Sequence, residues 1–357
     1  MEPIWALGCM SGTSMDGVDG ALVRTDGETV FAFGPRHFIP FAPEEREVMV
    51  AAQGAWPGES NALMAAREVI HWAHLALAQA LRGADVIGFH GQTLAHDPAA
   101  GRTHQLGDAA RLARETGLAV VHDFRSADMA AGGQGAPLAP IFHHAAAQAA
   151  GLRVPVAFLN LGGVGNITWL DPRKGPEAML AFDTGPANAL LDDFVEQRIG
   201  EPQDTDGVLA ANGTAQLGLI EAVGAEYLAK IPPKSLDRND FHAALSAVEG
   251  LSTEDGAATL AAFTVHTVAA GLIHLPSPPL RWLVCGGGRH NPTLTAGLAA
   301  TLPGLVDSVE AVGLDGDLLE AQAFGHLAVR VLRGLPISYP GTTGCTAPVS
   351  GGQVARP

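Results

Sequence analysis

Cysteine is scarce in this sequence. Its 357 residues include three cysteines, Cys9, Cys285 and Cys345, which are widely spaced and form no Cys-x-x-Cys pair. Such a set supports neither a disulfide framework nor a zinc site. The N-terminal residues also lack the basic segment and the small-residue cleavage site of a secretory signal peptide. We therefore expect a protein of a reducing compartment, the cytoplasm.

Positive charge is also scarce. The chain has 21 lysine and arginine residues against 37 acidic residues, which gives a formal net charge of −16 at pH 7. This balance lacks the electrostatic footprint for binding nucleic acid or an anionic membrane. Residues 256–280 are uncharged, but their histidines and threonines indicate a buried core helix that ends before Pro276. The expected partners are small molecules, with no nucleic acid and no membrane.

Several nucleotide-binding and catalytic motifs are missing. The lysines are Lys174, Lys230 and Lys234, and none of them follows a glycine, so the chain has no P-loop. It also has no Gly-x-Gly-x-x-Gly after its first predicted strand, no His-Glu-x-x-His and no Gly-x-Ser-x-Gly. Rossmann dehydrogenases, zinc proteases of the zincin type and α/β-hydrolases are therefore disfavoured.

The clearest feature present is a glycine-rich stretch, Gly8–Gly20, between two apolar runs. It predicts the tight turn of a β-hairpin. Glycine has no Cβ and the neighbouring serines and threonine carry hydroxyls, so such a turn can surround a phosphate with backbone N–H groups. The carboxylates of Asp16 and Asp19 fit a phosphate site only if a metal ion or a sugar hydroxyl lies between. The alternative is an ordinary solvent-exposed hairpin.

The order strand, glycine-rich turn, strand, polar turn, strand occurs twice in the chain. The first copy covers residues 4–41, and the second covers residues 156–182 with Gly162–Asn166 as its glycine-rich turn. This repetition indicates a duplicated domain unit, with one ligand held by both turns. Glycine and proline residues at 126–140 indicate the crossover between the two domains.

Polar motifs follow two predicted buried strands, at residues 85–89 and 118–121. The ends of buried strands in an α/β sheet are where ligands usually bind. These motifs are His90-Gly91-Gln92-Thr93 and His122-Asp123-Phe124-Arg125.

Asp183 follows the third strand of the second copy, where it projects at the end of an apolar run. The alternative for this residue is a helix N-cap. A third glycine-rich turn, Gly286–Pro292, lies between a short strand and a predicted helix. It suits a nucleotide, because a helix N-terminus favours phosphate, or it simply joins the two elements.

Together these motifs resemble the anhydro-N-acetylmuramic acid kinase family, within the sugar kinase, heat-shock protein 70 and actin superfamily. The resemblance runs in chain order from Gly8 to about Ala328. It implies an α/β fold of two duplicated ribonuclease H-like domains with βββαβα cores and a cleft between them. The first would comprise residues 1–130 with a C-terminal helix in 317–357, and the second residues 131–316. The strings that carry it are Gly8-x-Met10-Ser11-Gly12-Thr13-Ser14-x-Asp16-Gly17-x-Asp19, His90-Gly91-Gln92-Thr93, His122-Asp123-Phe124-Arg125, Asn160-Leu161-Gly162-Gly163-x-x-Asn166-Ile167-Thr168, Phe182-Asp183-Thr184-Gly185-Pro186-x-Asn188 and Cys285-Gly286-Gly287-Gly288.

The resemblance implies an enzyme that uses ATP and Mg²⁺. It would open the 1,6-anhydro ring of anhydro-N-acetylmuramic acid with water and phosphorylate the freed O6, giving N-acetylmuramic acid 6-phosphate for peptidoglycan recycling. A homodimer is common in the family and is expected here. Two alternatives remain, a kinase for another sugar and a non-enzymatic, ATP-gated binding module of the same superfamily.

Site residues follow from the matched motifs. Asp183 is the expected base that deprotonates water, as a carboxylate does in inverting glycosidases. By the family resemblance Glu320 helps to hold the water, the alternative being a solvated helix glutamate. Arg125 is expected to bind the lactyl carboxylate, or else to form a structural ion pair. The histidines His90 and His122 contact sugar hydroxyls or are satisfied histidines at strand ends. Direct Mg²⁺ ligands are left unassigned.

The remaining expected contacts are with the nucleotide and the sugar. The residues expected at the sugar are His90, Gln92, Thr93, His122, Arg125 and Asp183. The residues expected at ATP are Gly12, Thr13, Ser14, Met15, Asp16, Gly17, Val18, Asp19, Gly162, Gly163, Asn166, Gly286, Gly287, Gly288 and Asn291.

Overall fold

The structure is a computed structural model, and it describes residues 2–12, 14–236 and 241–357. The strands are β1 (Ile4–Ser11), β2 (Gly17–Thr25), β3 (Val30–Pro40), β4 (Val86–Asp97), β5 (Arg102–Leu106), β6 (Ala119–His122), β7 (Val156–Leu161), β8 (Val164–Leu170), β9 (Leu180–Pro186), β10 (Arg281–Cys285), β11 (Leu305–Ser308) and β12 (Gln353–Ala355). The helices are α1 (Pro43–Ala52), α2 (Asn61–Ala80), α3 (Ala109–Thr116), α4 (Ser126–Ala130), α5 (Pro140–Ala149), α6 (Asn188–Ile199), α7 (Val208–Asn212), α8 (Ala225–Leu228), α9 (Ala243–Ala247), α10 (Thr253–Ala270), α11 (Pro292–Thr301), α12 (Leu319–Leu332) and α13 (Pro340–Thr343).

The first sheet is built on an antiparallel meander. Its strand order is β12-β6-β4-β1-β2-β3, and β5 pairs with β4 outside this path. Strands β1, β2 and β3 run antiparallel in sequence, whereas β4 pairs parallel with β1 and β6 pairs parallel with β4. The apolar runs of β1 and β4 are buried, as expected for strands near the centre of a covered sheet.

The second sheet repeats this arrangement. Its order is β11-β10-β7-β8-β9, with β7, β8 and β9 antiparallel and with β10 and β11 added in parallel. Each sheet therefore contains a meander of three strands followed by two parallel strands on the side of its first strand. This topology confirms the predicted α/β fold with a duplicated βββ unit.

The two compact units of the chain differ from the expected division. One unit contains the residues up to Leu152 together with Leu318–Pro357, and the other contains Arg153–Asp317. The stretch 126–140 thus lies within the first unit, and it starts with the short helix α4 rather than forming the crossover between the units. Helix α5 stays in the same unit because it packs on α12, where the Phe142 and His326 rings lie 5.9 Å apart.

Strand β4 is longer than the sequence suggested. Its apolar part was expected to end at Phe89, but the strand continues through the polar motif to Asp97. The continuation is stabilised by β5, which pairs with it antiparallel from Gln92 to Asp97. The motif that was predicted at a strand end therefore lies within a strand, where side chains alternate between the two faces.

Helix α12 packs directly on the backbone of β1 and β4. A Cβ added at Gly8 would overlap the carbonyl oxygen of Ala321, and one added at Gly88 would overlap that of Phe324. Glycine at both strand positions thus allows the close approach of helix and sheet. Glu320 lies in the first turn of this helix, so the same packing sets its position over the sheet.

Helix α10 is the core helix of the second unit. Among the described residues, the stretch Thr253–His274 is long and apolar enough to cross a membrane by length and composition, but 67% of its most apolar window is buried inside the protein. Leu260 and Phe263 pack in one buried cluster with Phe194 of α6. The predicted buried helix that ends before Pro276 is confirmed.

Candidate active site

The turn between β1 and β2 is fixed by the fully buried side chain of Gln92 on β4. Its Nε2 donates to Gly12 O at 3.1 Å, and its Oε1 accepts from Ser11 Oγ at 2.5 Å. A Cβ at Gly12 would meet only Ser14 Oγ, at 3.6 Å, so the space beside this backbone is open. Gln92 therefore holds the turn rather than projecting toward a ligand. Thr13 lies outside the described residues.

The rest of the predicted phosphate turn divides into a true turn and a strand. Met15 has a positive φ of 52°, and the Asp16 carboxylate accepts from Ser14 Oγ at 2.8 Å. Gly17, Val18 and Asp19, all expected to contact ATP, lie on β2, which pairs with β3. Val18 is fully buried, and a Cβ at Gly17 would overlap Ile39 O of β3. Strand packing thus accounts for Gly17.

The matching turn of the second unit lies between β7 and β8. Gly162 O accepts from the Asn188 N–H at 2.9 Å, and Gly163 O accepts from the Ala187 N–H at 3.1 Å. These bonds tie the turn to the start of α6. Added Cβ atoms at the two glycines would have no neighbour nearer than 3.7 Å, so the turn is open to a close ligand.

The turn after β10 packs against β7. Gly286 has a φ of +75°, and a Cβ at Gly288 would lie 2.6 Å from Leu161 Cβ, so both positions require glycine. Gly287 is open, because its nearest neighbour would be Asn188 Nδ2 at 3.5 Å. Asn291 caps α11, since its Oδ1 accepts from two backbone N–H groups at 3.0 and 3.1 Å. Its predicted contact with a nucleotide stays a prediction.

Asp183 lies on β9, at the edge of the second sheet, opposite Asn166 of β8. The alternative of an N-cap is wrong, because α6 starts at Asn188 and has no side-chain cap. The Leu236 N–H donates to Asp183 Oδ2 at 2.9 Å. Burial raises the pKa of Asp183 to about 6, against the opposing effect of this hydrogen bond. Such a carboxylate is a stronger base than an exposed one and is still ionised at neutral pH.

The first unit carries a partly buried arginine, Arg125, bound to neutral acceptors. Its Nη1 donates to Gly135 O at 2.7 Å, and its Nη2 lies 2.8 Å from His90 Nε2. Among the described residues it forms no ion pair within 4.0 Å, and its Nε is buried without a partner. Burial lowers the pKa of Arg125 to about 10, so it stays positive at neutral pH. The structural ion pair considered for Arg125 is therefore not formed with any described residue, and its charge suits an incoming anion.

His90 is occupied by this arrangement. Its Nδ1 lies 2.7 Å from Gly91 O and donates to it, so Nε2 is free of a proton and accepts from Arg125. Burial first, and then the Arg125 charge, lower the pKa of His90 well below its ordinary value, so the ring is neutral. The geometry favours a role for His90 in orienting Arg125 rather than in contacting a sugar hydroxyl directly.

A cavity of about 410 Å³ lies beside His90 and His122 within the first unit. Polar groups on its wall include Gln105, Asp108 and Asp123. This volume is in the range of small-molecule sites. Thr93, expected at the sugar, does not line the cavity, and its hydroxyl accepts from Gln105 Nε2 at 3.1 Å.

Glu320 reaches solvent from the first turn of α12. Desolvation of its carboxyl group by the surrounding protein nevertheless raises the pKa of Glu320, and the positive charge of Arg125 opposes that rise. The two predicted site residues thus influence each other electrostatically.

The sequence reasoning missed the segment that contacts Asp183. Tyr227, Lys234 and Leu236 all bond to Asp183 or to one another, although they lie in a stretch of the chain without a recognised motif. A backbone donor such as the Leu236 N–H leaves no signal in a sequence. The one available hint was Lys234, since lysines are so few in this chain.

The described residues contain no complete metal-binding site made of protein side chains alone. In residues 2–12, 14–236 and 241–357, no group of three or more His, Cys, Asp or Glu side chains is placed to hold a metal ion. Mg²⁺ is usually held by one or two carboxylates together with substrate phosphates, and such a site needs no cage.

Comparison with known proteins gives one consistent family. The family model described as anhydro-N-acetylmuramic acid kinase matches residues 4–356. The anhydro-N-acetylmuramic acid kinase of Cereibacter sphaeroides is 55% identical over 359 residues, which cover 99% of this chain and 96% of that protein. Anhydro-N-acetylmuramic acid kinase 1 of Jannaschia sp. is 54% identical over 360 residues, with the same coverage of 99% and 96%.

Solved structures resemble the chain only distantly. The activator of the 2-hydroxyisocaproyl-CoA dehydratase from Clostridium difficile, with bound ADPNP, is 11% identical with a TM-score of 0.46. It covers 92% of this chain and 96% of its own. The evidence for the fold is therefore the topology of the two sheets.

Proposed function

The chain belongs to the anhydro-N-acetylmuramic acid kinase family, and we propose that it opens the 1,6-anhydro ring of anhydro-N-acetylmuramic acid and phosphorylates O6 with ATP. The product is N-acetylmuramic acid 6-phosphate, a sugar of peptidoglycan recycling. The observation that carries the proposal is Asp183, a half-buried carboxylate with one oxygen fixed by a backbone N–H and a pKa raised to about 6.

Asp183 acts as the general base. It takes a proton from water as the water oxygen bonds to C1 of the sugar, and the C1–O6 bond breaks with its electron pair going to O6. O6 then bonds to the γ-phosphorus of ATP, and ADP leaves. Transfer to phosphorus removes the need for a second carboxylic acid that would protonate O6. Glu320 helps to hold the attacking water, as its raised pKa and accessible side chain permit.

The first unit binds the sugar. Arg125 binds the lactyl carboxylate, because its partly buried guanidinium has only neutral hydrogen-bond partners among the described residues. His122 and its neighbours around the cavity contact the sugar hydroxyls and the N-acetyl group. A planar guanidinium held from two sides can present its remaining N–H groups to a carboxylate in a fixed geometry.

The glycine-rich turns bind ATP through their backbone N–H groups. The open space beside Gly12, Gly162, Gly163 and Gly287 supports this assignment, since a phosphate or a ribose can approach the chain there. Asp16 and Asp19 are the carboxylates that would hold Mg²⁺, directly or through water. When bound, Mg²⁺ neutralises phosphate charge during transfer.

We further propose that the protein works in the cytoplasm as a homodimer. The buried cysteines Cys9, Cys285 and Cys345 are free thiols, as is typical of a reducing compartment. The dimer rests on the family resemblance.

A coupled assay of ADP release tests the proposed function. It compares anhydro-N-acetylmuramic acid, its ring-opened counterpart N-acetylmuramic acid, and glucose, each with ATP and Mg²⁺. We expect turnover with the anhydro sugar only. Faster turnover with either open sugar would instead indicate a kinase for another sugar, and ATP binding without turnover on any of the three would indicate an ATP-gated binding module.

A further inference from the structure

The segment from Tyr227 to Leu236 encloses Asp183. We propose that Tyr227 and Lys234 are positioning residues that hold this segment on the edge of β9, so that one carboxylate oxygen of Asp183 is fixed and the other faces the reacting water. The inference rests on the proposed function, since it assumes that Asp183 is the base. It assigns a role to a stretch of the chain that carries no recognised motif.

Strand β9 lies at an edge of the second sheet. This strand is the last in its sheet as far as the described residues go, so among them one row of its backbone groups has no partner strand. Residues 234–236 supply partners at one point, because the Asp183 N–H donates to Lys234 O at 3.0 Å and the Leu236 N–H donates to Asp183 Oδ2 at 2.9 Å. The segment therefore binds both the backbone and the side chain of the same residue.

Tyr227 makes a third hydrogen bond between this segment and Asp183. Its hydroxyl donates to Asp183 O at 2.8 Å, and its side chain is 8% exposed. The backbone N–H, the backbone carbonyl and Oδ2 of Asp183 are thus all bonded to one short segment. Among the described residues, Asp183 Oδ1 has no hydrogen-bond partner, so it is the oxygen left for the water.

Lys234 closes the segment into a loop. Its Nζ donates to Tyr227 O at 3.2 Å and to Leu228 O at 3.0 Å, and its ammonium lies 4.8 Å from the centre of the Tyr227 ring. The side chain is 7% exposed. The ammonium group therefore joins the two ends of the segment, and it is already engaged by two carbonyls rather than directed at a phosphate.

The test combines Lys234→Met, which keeps the length of the side chain but removes its donors, with Tyr227→Phe, which removes one hydroxyl. We expect kcat to fall about 10-fold or more in Lys234→Met and about 3-fold in Tyr227→Phe, with KM for ATP unchanged, because a misplaced base loses part of its catalytic effect. The matched controls are Lys174→Met and Tyr339→Phe. Lys174 is exposed, and the Tyr339 hydroxyl accepts from Arg330 Nη2, with both of these residues in the first unit. Both controls should keep the wild-type kcat.

The pH profile separates positioning from general stability. Asp183 must be ionised to act, so wild-type kcat should fall tenfold per pH unit below about 6. The Leu236 N–H favours the ionised carboxylate, so loss of that bond should move the acid limb to higher pH in Lys234→Met. The inference would be overturned if the acid limb of Lys234→Met stayed at the wild-type pH or moved to lower pH while kcat stayed within twofold of wild type in both variants.

The variant Asp183→Asn separates the positioning role of Tyr227 and Lys234 from the role of Asp183 as the base. If this variant is inactive while Lys234→Met and Tyr227→Phe behave as wild type, the inference fails and the proposed function stands. If Asp183→Asn keeps its turnover of the anhydro sugar, the role assigned to Asp183 fails and this inference fails with it, whereas the activity itself is tested by the comparison of sugars in the ADP-release assay. Should Lys234→Met not fold, Tyr227→Phe decides the question, because it removes a single oxygen and leaves the packing of the ring intact.

Discussion

Replacement of Asp183 by asparagine is expected to abolish nearly all turnover of the anhydro sugar, lowering kcat by about 10²- to 10⁴-fold, the usual contribution of a positioned general base. Asparagine has the same shape, and its amide oxygen can still accept the hydrogen bond from the Leu236 N–H. Only the ability to take a proton is removed. ATP binding, measured by isothermal titration calorimetry, should therefore remain within about twofold of wild type.

The matched control for this substitution is Asp206→Asn. Asp206 is exposed, and its positive φ of 57° is a conformation that asparagine also adopts readily. This variant should retain full activity. Turnover in Asp183→Asn within a few-fold of wild type would remove Asp183 from its assigned role, because the variant keeps the shape of the side chain and loses only the group that takes the proton.

Arg125→Met is expected to lower kcat/KM for anhydro-N-acetylmuramic acid by roughly 10- to 100-fold, since charge-assisted hydrogen bonds to a buried carboxylate contribute about 1.5–3 kcal/mol. The loss should appear mainly in KM, because the substituted group binds the substrate and does not react. The informative comparison is 1,6-anhydro-N-acetylglucosamine, which lacks the lactyl carboxylate. Any slow turnover of that sugar should be almost unaffected by the substitution.

The control for Arg125 is Arg114→Met, at an exposed position on α3. It should leave both substrates unchanged. A thermal melt shows whether Arg125→Met folds, since the substitution also leaves Gly135 O and His90 Nε2 without their donor. Equal losses for both sugars would mean that Arg125 maintains the local structure and does not read the carboxylate.

The arrangement of the fold was predictable because it depends on patterns that a sequence displays. Apolar strands separated by glycine-rich and polar turns occur twice, and each copy forms the expected meander. Helix α10 was predictable from its length and lack of charge, and Pro276 marks its end correctly. These features depend on local periodicity and on turn residues, which need no knowledge of distant contacts.

The details of the site depend on contacts that no local pattern displays. Strand β4 extends to Asp97 because β5 pairs with it, although Gln92 and Thr93 looked like the polar end of a strand. Gly17 was placed in a phosphate turn because glycine is typical there, but it is required by the packing of β3. The segment that holds Asp183 acts largely through backbone groups, which are the same in every residue.

One carboxylate, Asp183, is proposed to activate water against C1 of the anhydro sugar. The 1,6-bridge holds O6 on the β face of C1, so water activated on the opposite face must give the α-anomer of N-acetylmuramic acid 6-phosphate first. Proton NMR of the reaction, recorded before the anomers equilibrate, measures this directly. We expect the α-anomer to form first, and initial formation of the β-anomer or of an equal mixture would contradict the role proposed for Asp183.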